Sequence, residues 1–531
     1  MLTVNDMADK EIADFRQLQD QLRQRWQEAE LLERDDQDIL VLPSFSIDQR
    51  VGQKVPGFLH YEERLLFSLI RLQNPHTRLI YLTAQPLSPI ISEYYLQLLP
   101  GIPFSHARDR LLLLSTYDNS FKPLTQKILE RPRLVQRIRR ALRPGKSYMV
   151  CFNATHLEQE LSLQLGIPLF ASSPELSYWG SKSGSRQIFA ECGIAHPDGS
   201  CQITSVAALV QEAARLWERQ PHLQRLVVKL NEGFSGEGNA VLDLRRLQYA
   251  APDSAPASVR ESVLAAEMER LSFQAEGETW SNFSSRIPEL GAIVEAFIEG
   301  EVKRSPSVQG YISPTGTVKI LSTHDQILGG PDGQIYLGCR FPADSAYRLL
   351  LQELGFKVGQ VLAQRGAMER YGVDFVAVLQ PSGEWELQAI EINLRKGGTT
   401  HPFMTLKLLT NGTYDQATGL FYSQHDRAKY YIASDNLQQQ HYQGLLPEDL
   451  MDIAAQHRLH FDSSTQTGTV FHLMGALSEF GKLGLTCVGN SWAEAESIYH
   501  HVETVLNAET DLTKPDSVTN LLTNLPITWS L

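Results

Sequence analysis

Residues 372–393 contain two apolar runs, Gly372-Val-Asp-Phe-Val-Ala-Val378 and Trp385-Glu-Leu-Gln-Ala-Ile-Glu-Ile-Asn393, on either side of Pro381-Ser-Gly-Glu384. Alternation on both sides of a turn signal predicts an antiparallel hairpin. This stretch restricts the fold more than any other, because period-two alternation commits one face to a core and the other to polar contacts. If Ser382 and Gly383 form a two-residue turn, Pro381 faces Glu384 and Asp374 faces Glu391. Asn393 then shares a face with Glu391. Facing carboxylates repel unless a cation or a proton lies between them. All three side chains are oxygen donors, which is what Mg2+ prefers. The alternative is a solvated polar face balanced by arginines or water, and a longer turn would change the pairing.

Arg395, Lys396, Gly397, Gly398, Thr399 and Thr400 follow directly. Cations, glycines and hydroxyls beside a metal site suit a triphosphate or an anionic intermediate. His401, just before Pro402, reads as a helix-entry residue with its ring hydrogen-bonded to backbone. A second glycine-rich stretch, Gly233-Phe-Ser-Gly-Glu-Gly238, separates the apolar runs 225–230 and 240–244. No Lys follows Gly238 and no helical pattern follows, so neither a Walker loop nor a dinucleotide fingerprint fits. Strand, loop and strand instead predict a glycine flap. Lys229 lies within the first of these strands, and a lysine among Val and Leu calls for an anion such as a nucleotide phosphate. A plain hairpin with Lys229 reaching to solvent is the other reading.

Around these motifs the 531-residue chain divides into α/β and α+β regions. Residues 1–175 open with an amphipathic helix at 8–33. Apolar runs at 39–43, 79–82 and 148–152 then alternate with helical stretches, which implies a mostly parallel sheet. Residues 176–410 read as hairpins and residues 411–531 as a further α+β segment. In that last segment a hairpin is expected over 469–477 and 482–488, and a helix starts at Ser491 with Glu494 completing a capping box. The net charge of −13 argues against a nucleic-acid partner. No apolar window reaches membrane-spanning length. The five cysteines form no C-x-x-C pair and the N-terminus lacks a signal pattern, so a reducing cytoplasm is expected.

The order Lys182, Lys229 with its glycine loop, Ile293-Val-Glu-Ala-Phe-Ile-Glu-Gly300, Asp374 and Glu391-x-Asn393 resembles the ATP-grasp superfamily. The strings Arg304-Ser-Pro-Ser-Val-Gln309, Ser322-Thr-His-Asp-Gln326, Gly338-Cys-Arg-Phe-Pro342 and Phe471-His-Leu-Met-Gly-Ala-Leu-Ser-Glu-Phe-Gly-Lys-Leu-Gly484 are similar to the pheganomycin-type peptide ligases and propargylglycine–glutamate ligases. The resemblance implies a pre-ATP-grasp α/β domain (1–175), an ATP-grasp core of two α+β subdomains (176–410) and a C-terminal α+β domain (411–531). It implies ATP as substrate, with Mg2+, or Mn2+ in its place, held by Asp374, Glu391 and Asn393. Lys182 and Lys229 would contact phosphates, and Ser235 and Gly236 would cap them. Glu295, Phe297 and Ile298 would line the adenine pocket, and Glu301 would take the ribose hydroxyls. Arg340 and Arg395 would neutralise the transferred phosphate. The implied activity joins a carboxylate to an amine through an acyl-phosphate, with amino acids or short peptides as substrates. A small-molecule kinase and a non-catalytic ATP-binding regulator are the alternatives.

Overall fold

The computed structural model describes residues 4–29, 36–46, 49–99, 101–233, 238–275, 277–329, 333 and 335–510. Near the N-terminus, strands β1 (Asp38–Leu42), β2 (Arg78–Thr83), β3 (Leu111–Ser115) and β4 (Ser147–Cys151) form a parallel sheet in the order β3-β2-β1-β4. Every residue of β1 and β4 is buried, as expected of strands covered on both faces. Leu40, Leu42, Ile80, Leu82 and Met149 pack against helices Leu124–Leu129, Pro132–Ala141 and His156–Leu165. The other face, with Ile39, Val41, Leu79 and Tyr81, packs against the helical segments Phe58–Gln73 and Pro89–Gln97. Strand β3 escapes a reading by burial because it is the edge, and Leu113 is exposed there. The first helix runs Val4–Ala29, ahead of the expected 8–33.

The second sheet contains β5 (Arg225–Leu230), β6 (Asn239–Asp243), β7 (Ser272–Phe273) and β8 (Ala292–Ala296), antiparallel in the order β7-β6-β5-β8. Alternation decides its faces. Leu226, Val228, Leu230, Ala292 and Val294 join a core with helices Val206–Arg219, Ala257–Glu267 and Trp280–Leu290. Lys229 and Glu295 therefore point the opposite way.

The third sheet holds β9 (Lys303–Arg304), β10 (Pro306–Ile312), β11 (Val318–Gly329), β12 (Ile335–Phe341), β13 (Glu369–Leu379), β14 (Trp385–Asn393), β15 (Thr413–Asp415), β16 (Leu420–Tyr422), β17 (Ala428–Gln438), β18 (Gly468–His472) and β19 (Lys482–Gly489). Its main path runs β14-β13-β10-β11-β12-β17-β16-β15. The strands beyond residue 411 thus continue this sheet rather than forming their own. β17 bonds β12 on one side and β19 on the other. Gly338 allows that junction, since a Cβ there would lie 2.3 Å from the Ala433 carbonyl oxygen. The same core joins Leu437, Phe471 and Leu485 to the N-terminal sheet. Strand β18 stops at His472 rather than near 477, because Leu473 turns to φ 54° and helical turns follow. The final helix, Trp492–Thr510, keeps half of the expected capping box: Glu494 N donates to Ser491 Oγ at 3.2 Å, but the Glu494 carboxylate accepts from Asn490 N at 2.7 Å rather than from Ser491 N.

One face of β10, β13 and β14, with Val308, Tyr371, Val373, Phe375, Leu387 and Ile392, packs against helices Lys182–Glu191 and Arg348–Gln364. Gly310 makes room for Tyr371: a Cβ at 310 would fall 2.0 Å from the ring. Gly310→Ala is expected to lower stability by about 1–3 kcal/mol through overpacking, read as a lower urea midpoint at unchanged slope. An unchanged midpoint would contradict the tight β10–β13 approach.

Candidate active site

The polar faces of the second and third sheets look at each other across a cavity of about 1150 Å3. Single small-molecule sites run roughly 300–1,000 Å3, so this space suits a nucleotide together with further substrate. Of the residues expected at the site, Lys229, Glu295, Phe297, Ile298, Arg340, Asp374, Glu391, Asn393 and Arg395 line it.

The carboxylate pair depends on a backbone irregularity. Near the turn, Leu379 faces Trp385 and Val378 faces Glu386, one residue off the register of a Ser382-Gly383 turn. Gly383 N donates to the Gln380 carbonyl at 2.9 Å, giving a longer loop with Gly383 at φ 85°. With that register alone Asp374 would face Ile390. A bulge between Asp374 and Phe375 restores the pairing of Asp374 with Glu391 and of Gly372 with Asn393. The extra residue, Ile390, also resets which face each side chain takes. Ala389 and Ile392 both enter the core, while Glu391 and Asn393 line the cavity with Asp374. The expected facing pair exists, by a route the two-residue turn did not contain.

Burial first, and the Glu391 carboxylate second, push the Asp374 carboxyl up to about 7. Asn393 Nδ2 donates to Asp374 Oδ2 at 2.9 Å and Gln326 Nε2 to Oδ1 at 2.8 Å. Lys182 Nζ stands 3.7 Å from Glu391 Oε2. These neighbours leave the two acids under-compensated, and two carboxylates with an amide oxygen fit a hard divalent cation.

The cations occupy distinct positions. Lys229 Nζ lies 2.6 Å from Glu295 Oε2, and Arg186 Nη1 lies 2.8 Å from Glu295 Oε1. Burial would raise the Glu295 carboxyl, but Lys229 and Arg186 outweigh it and hold the group low. The side chain of Glu295 is thus spent on orienting Lys229. Lys182 lies behind the wall, at the N-terminus of helix Lys182–Glu191, and a Cβ on Gly233 would fall 3.3 Å from its Nζ. The Phe297 ring has the Arg225 guanidinium 3.7 Å from its centroid and Lys303 Nζ at 4.5 Å. Arg340 is partly exposed and pairs with Glu496 at 3.0 Å. Arg395 donates to the Lys396 carbonyl at 3.1 Å. Glu301 is not brought to the cavity: it is exposed before β9, and Lys303 and Arg304 line the wall there. Ser235 and Gly236 lie outside the described residues.

His401 differs from its expected role. It is buried, and its Nε2 faces His472 Nε2 at 3.0 Å and Asp435 Oδ1 at 3.3 Å rather than backbone. His472 Nε2 also lies 2.6 Å from Asp435 Oδ1, and Arg64 pairs with Oδ2 of the same acid. Burial draws the His401 imidazole down to about 4 against the opposing pull of Asp435, so it is neutral. Arg64 is therefore the charge that answers Asp435.

Comparison with known proteins shows the family. Residues 174–417 fit the family model described as IQCH-like, ATP-grasp, and residues 449–502 fit the PGM1 C-terminal domain. The chain is 31% identical over 478 residues to the L-propargylglycine–L-glutamate ligase of Streptantibioticus cattleyicolor, covering 88% of this chain and 93% of that enzyme. The chain belongs to the ATP-grasp ligases. It is also 24% identical over 448 residues to IQ motif-containing protein H of Danio rerio, covering 77% of this chain and 42% of that longer protein. A solved biotin carboxylase–β,γ-ATP complex from Campylobacter jejuni shares the fold, with a TM-score of 0.51, 12% identity, and 91% and 96% of the two chains covered. Among the described residues no helix of this ligase is long and apolar enough to cross a membrane.

Several residues of the ligase site were not singled out from the sequence. Arg186 stands one helical turn after Lys182, a spacing that places both on one face and could have revealed it. Gln326 is a polar residue within the strand string Ser322–Gln326, and only the β10–β11–β13 pairing brings it to Asp374. Arg64 and Lys482, from distant parts of the chain, also line the cavity; nothing local marks Arg64, and Lys482 lies within the string Phe471–Gly484 without a role that its neighbours in sequence reveal.

The Asp374 carboxyl keeps its proton to about 7 in the metal-free fold, whereas an unfolded Asp releases it near 4. The folded state therefore binds more protons between those values and loses stability as pH rises through them. In EDTA, Asp374→Asn should gain on the parent protein by on the order of 2–4 kcal/mol between about pH 4 and about pH 8, measured by urea denaturation. A difference that does not change with pH would show that Asp374 is not the buried, strained acid.

Proposed function

We propose that this ATP-grasp ligase activates the carboxylate of an amino acid or short peptide with ATP and transfers it to the amine of a second amino acid. The observation that carries the site assignment is the facing pair Asp374–Glu391, with Asn393, across one cavity from Lys229. The nucleotide would lie between the second and third sheets, its base near Phe297 and Ile298 and its phosphates toward Lys229 and Lys182. Asp374, Glu391 and Asn393 would hold Mg2+, which when bound neutralises phosphate charge. The S. cattleyicolor relative, by its name a ligase of propargylglycine and glutamate, supports amino acids as the substrate class. The five cysteines are free, which supports a reducing, cytoplasmic setting.

The chemistry then follows from positioning and charge. The substrate carboxylate oxygen attacks the γ-phosphorus, the bond to the β-phosphate bridging oxygen breaks, and ADP leaves. This step needs alignment more than covalent help from the protein. Arg395, with Arg340, would offset the charge on the transferred phosphoryl group. The neutral amine of the second substrate attacks the acyl carbon, a proton is lost from nitrogen, and phosphate leaves. The glycine loop that begins at Gly233 would shield the acyl-phosphate from water.

Glu391→Ala should reduce ADP formation by about 1,000-fold or more while circular dichroism stays unchanged, since oxygen donors to the phosphate-bound ion act mainly in the transition state. Normal turnover would remove Glu391 from the site. Lys229→Met should weaken ATP binding by roughly tenfold or more in calorimetry, the worth of one charge-assisted contact. Arg186 still balances Glu295 in that variant, so an unchanged affinity would be informative. One free phosphate and one amide per ADP distinguishes a ligase from a kinase, which releases no phosphate.

A further inference from the structure

Lys482 opens β19 where the C-terminal strands meet the N-terminal segment. Only 2% of its surface is exposed, yet it lines the cavity. Its Nζ donates to Tyr61 Oη at 2.9 Å and lies 5.1 Å from the centre of the Tyr61 ring. Among the described residues no carboxylate comes within 4.0 Å of it. Asp435 acts on it only from beyond ion-pair distance, and a buried ammonium whose one hydrogen bond among the described residues goes to a phenol is costly unless a closer anion completes its shell. Burial accordingly draws the Lys482 amine down to about 8.

Arg64 stands beside it, with its guanidinium 4.2 Å from the same ring centre. Arg64 is matched by Asp435, and its Nε is buried with no hydrogen-bond partner. Tyr61 therefore has cations near it from two elements while one carboxylate answers them. Phe45 and Phe58 extend the same wall, with ring centres 6.0 and 6.5 Å from Tyr61. An excess of positive charge beside an aromatic wall, in a protein of net charge −13, is a built anion subsite. Lys229 and Lys182 pair with other acids, Glu295 and Glu391.

We propose that Lys482, with Tyr61 and Arg64, binds the non-reacting carboxylate of the amine-donating amino acid and so points its amino group at the acyl carbon. This rests on the ligase reading above. The carboxylate that is activated must reach the γ-phosphate beside Asp374 and Glu391. A carboxylate fixed by Lys482 is therefore the one that survives in the product. The acceptor class that follows is a free α-amino acid, or a peptide presenting its own carboxylate at that distance, and not an amine lacking one.

The test first screens wild-type protein with ATP, Mg2+ and pairs of the common amino acids for phosphate release. The best acceptor is then compared with its α-amide. Wild type should prefer the free acid by roughly 10- to 100-fold in kcat/KM for the acceptor, the value of a buried charge-assisted contact. Lys482→Met should bring that ratio to within about threefold of unity, leave KM for ATP in place, and Lys482→Arg should recover most of the preference. A Met variant that keeps the wild-type ratio overturns the subsite and leaves the ligase reading standing. In parallel, thermal shifts with a non-hydrolysable ATP analogue and Mg2+ are recorded for each amino acid and its α-amide, with both proteins. Stabilisation of wild type by an acid but not its amide, lost in Lys482→Met, supports the subsite. Equal shifts for acid and amide, or none, overturn it even if no pair of common amino acids releases phosphate.

Discussion

Two like charges held face to face organise this protein. Asp374 and Glu391 oppose each other across adjacent strands, one of them in a carboxyl raised to about 7. Such a pair is unfavourable in isolation. It survives because β13 and β14 are anchored on their other face by Val373, Phe375, Ala389 and Ile392 in a closed core. Packing there holds the strain in place, and the divalent cation proposed for this site would relieve it. The bulge at Ile390 is the device that makes this possible, since one inserted residue separates two consecutive parity assignments on the same strand.

The rest of the cavity is arranged around that pair by a division of charge. Facing it, the Glu295 carboxylate holds both Lys229 and Arg186, one acid between two cations. Where the N-terminal segment meets the C-terminal strands, Asp435 gathers Arg64, His401 and His472 into a second matched cluster. Lys482 alone among these buried groups has no carboxylate within 4.0 Å among the described residues, and Asp435 acts on it from farther off. The paired groups hold the walls in place.

The joining of the N- and C-terminal parts has a consequence for how the enzyme can be divided. One hydrophobic core contains Ile39 and Tyr81 of the first sheet and Phe471 and Leu485 of the third. Residues 36–83 and 428–489 thus stabilise one another, and both contribute side chains to the cavity. A cut near residue 411 would break the β12–β17 pairing and leave sheet edges exposed.

Local alternation in the sequence was enough to determine the parallel N-terminal sheet, the two strands on either side of Gly233–Gly238, the 372–393 hairpin and the identity of its acids. These are properties of residues close in the chain, where periodicity and turn chemistry act directly. The family resemblance likewise rested on residues that lie in order along the chain, and the match to a ligase of 31% identity agrees with it. What the chain could not reveal on its own was pairing between distant segments. The Ile390 bulge, the continuation of the third sheet through β17, the engagement of His401 with Asp435 instead of backbone, the exposure of Glu301, and the meeting of Tyr61 with Lys482 all depend on it. Each is settled by which strands share a sheet and which cores fuse, and that is decided by the burial of the whole apolar surface at once, a quantity no local window contains.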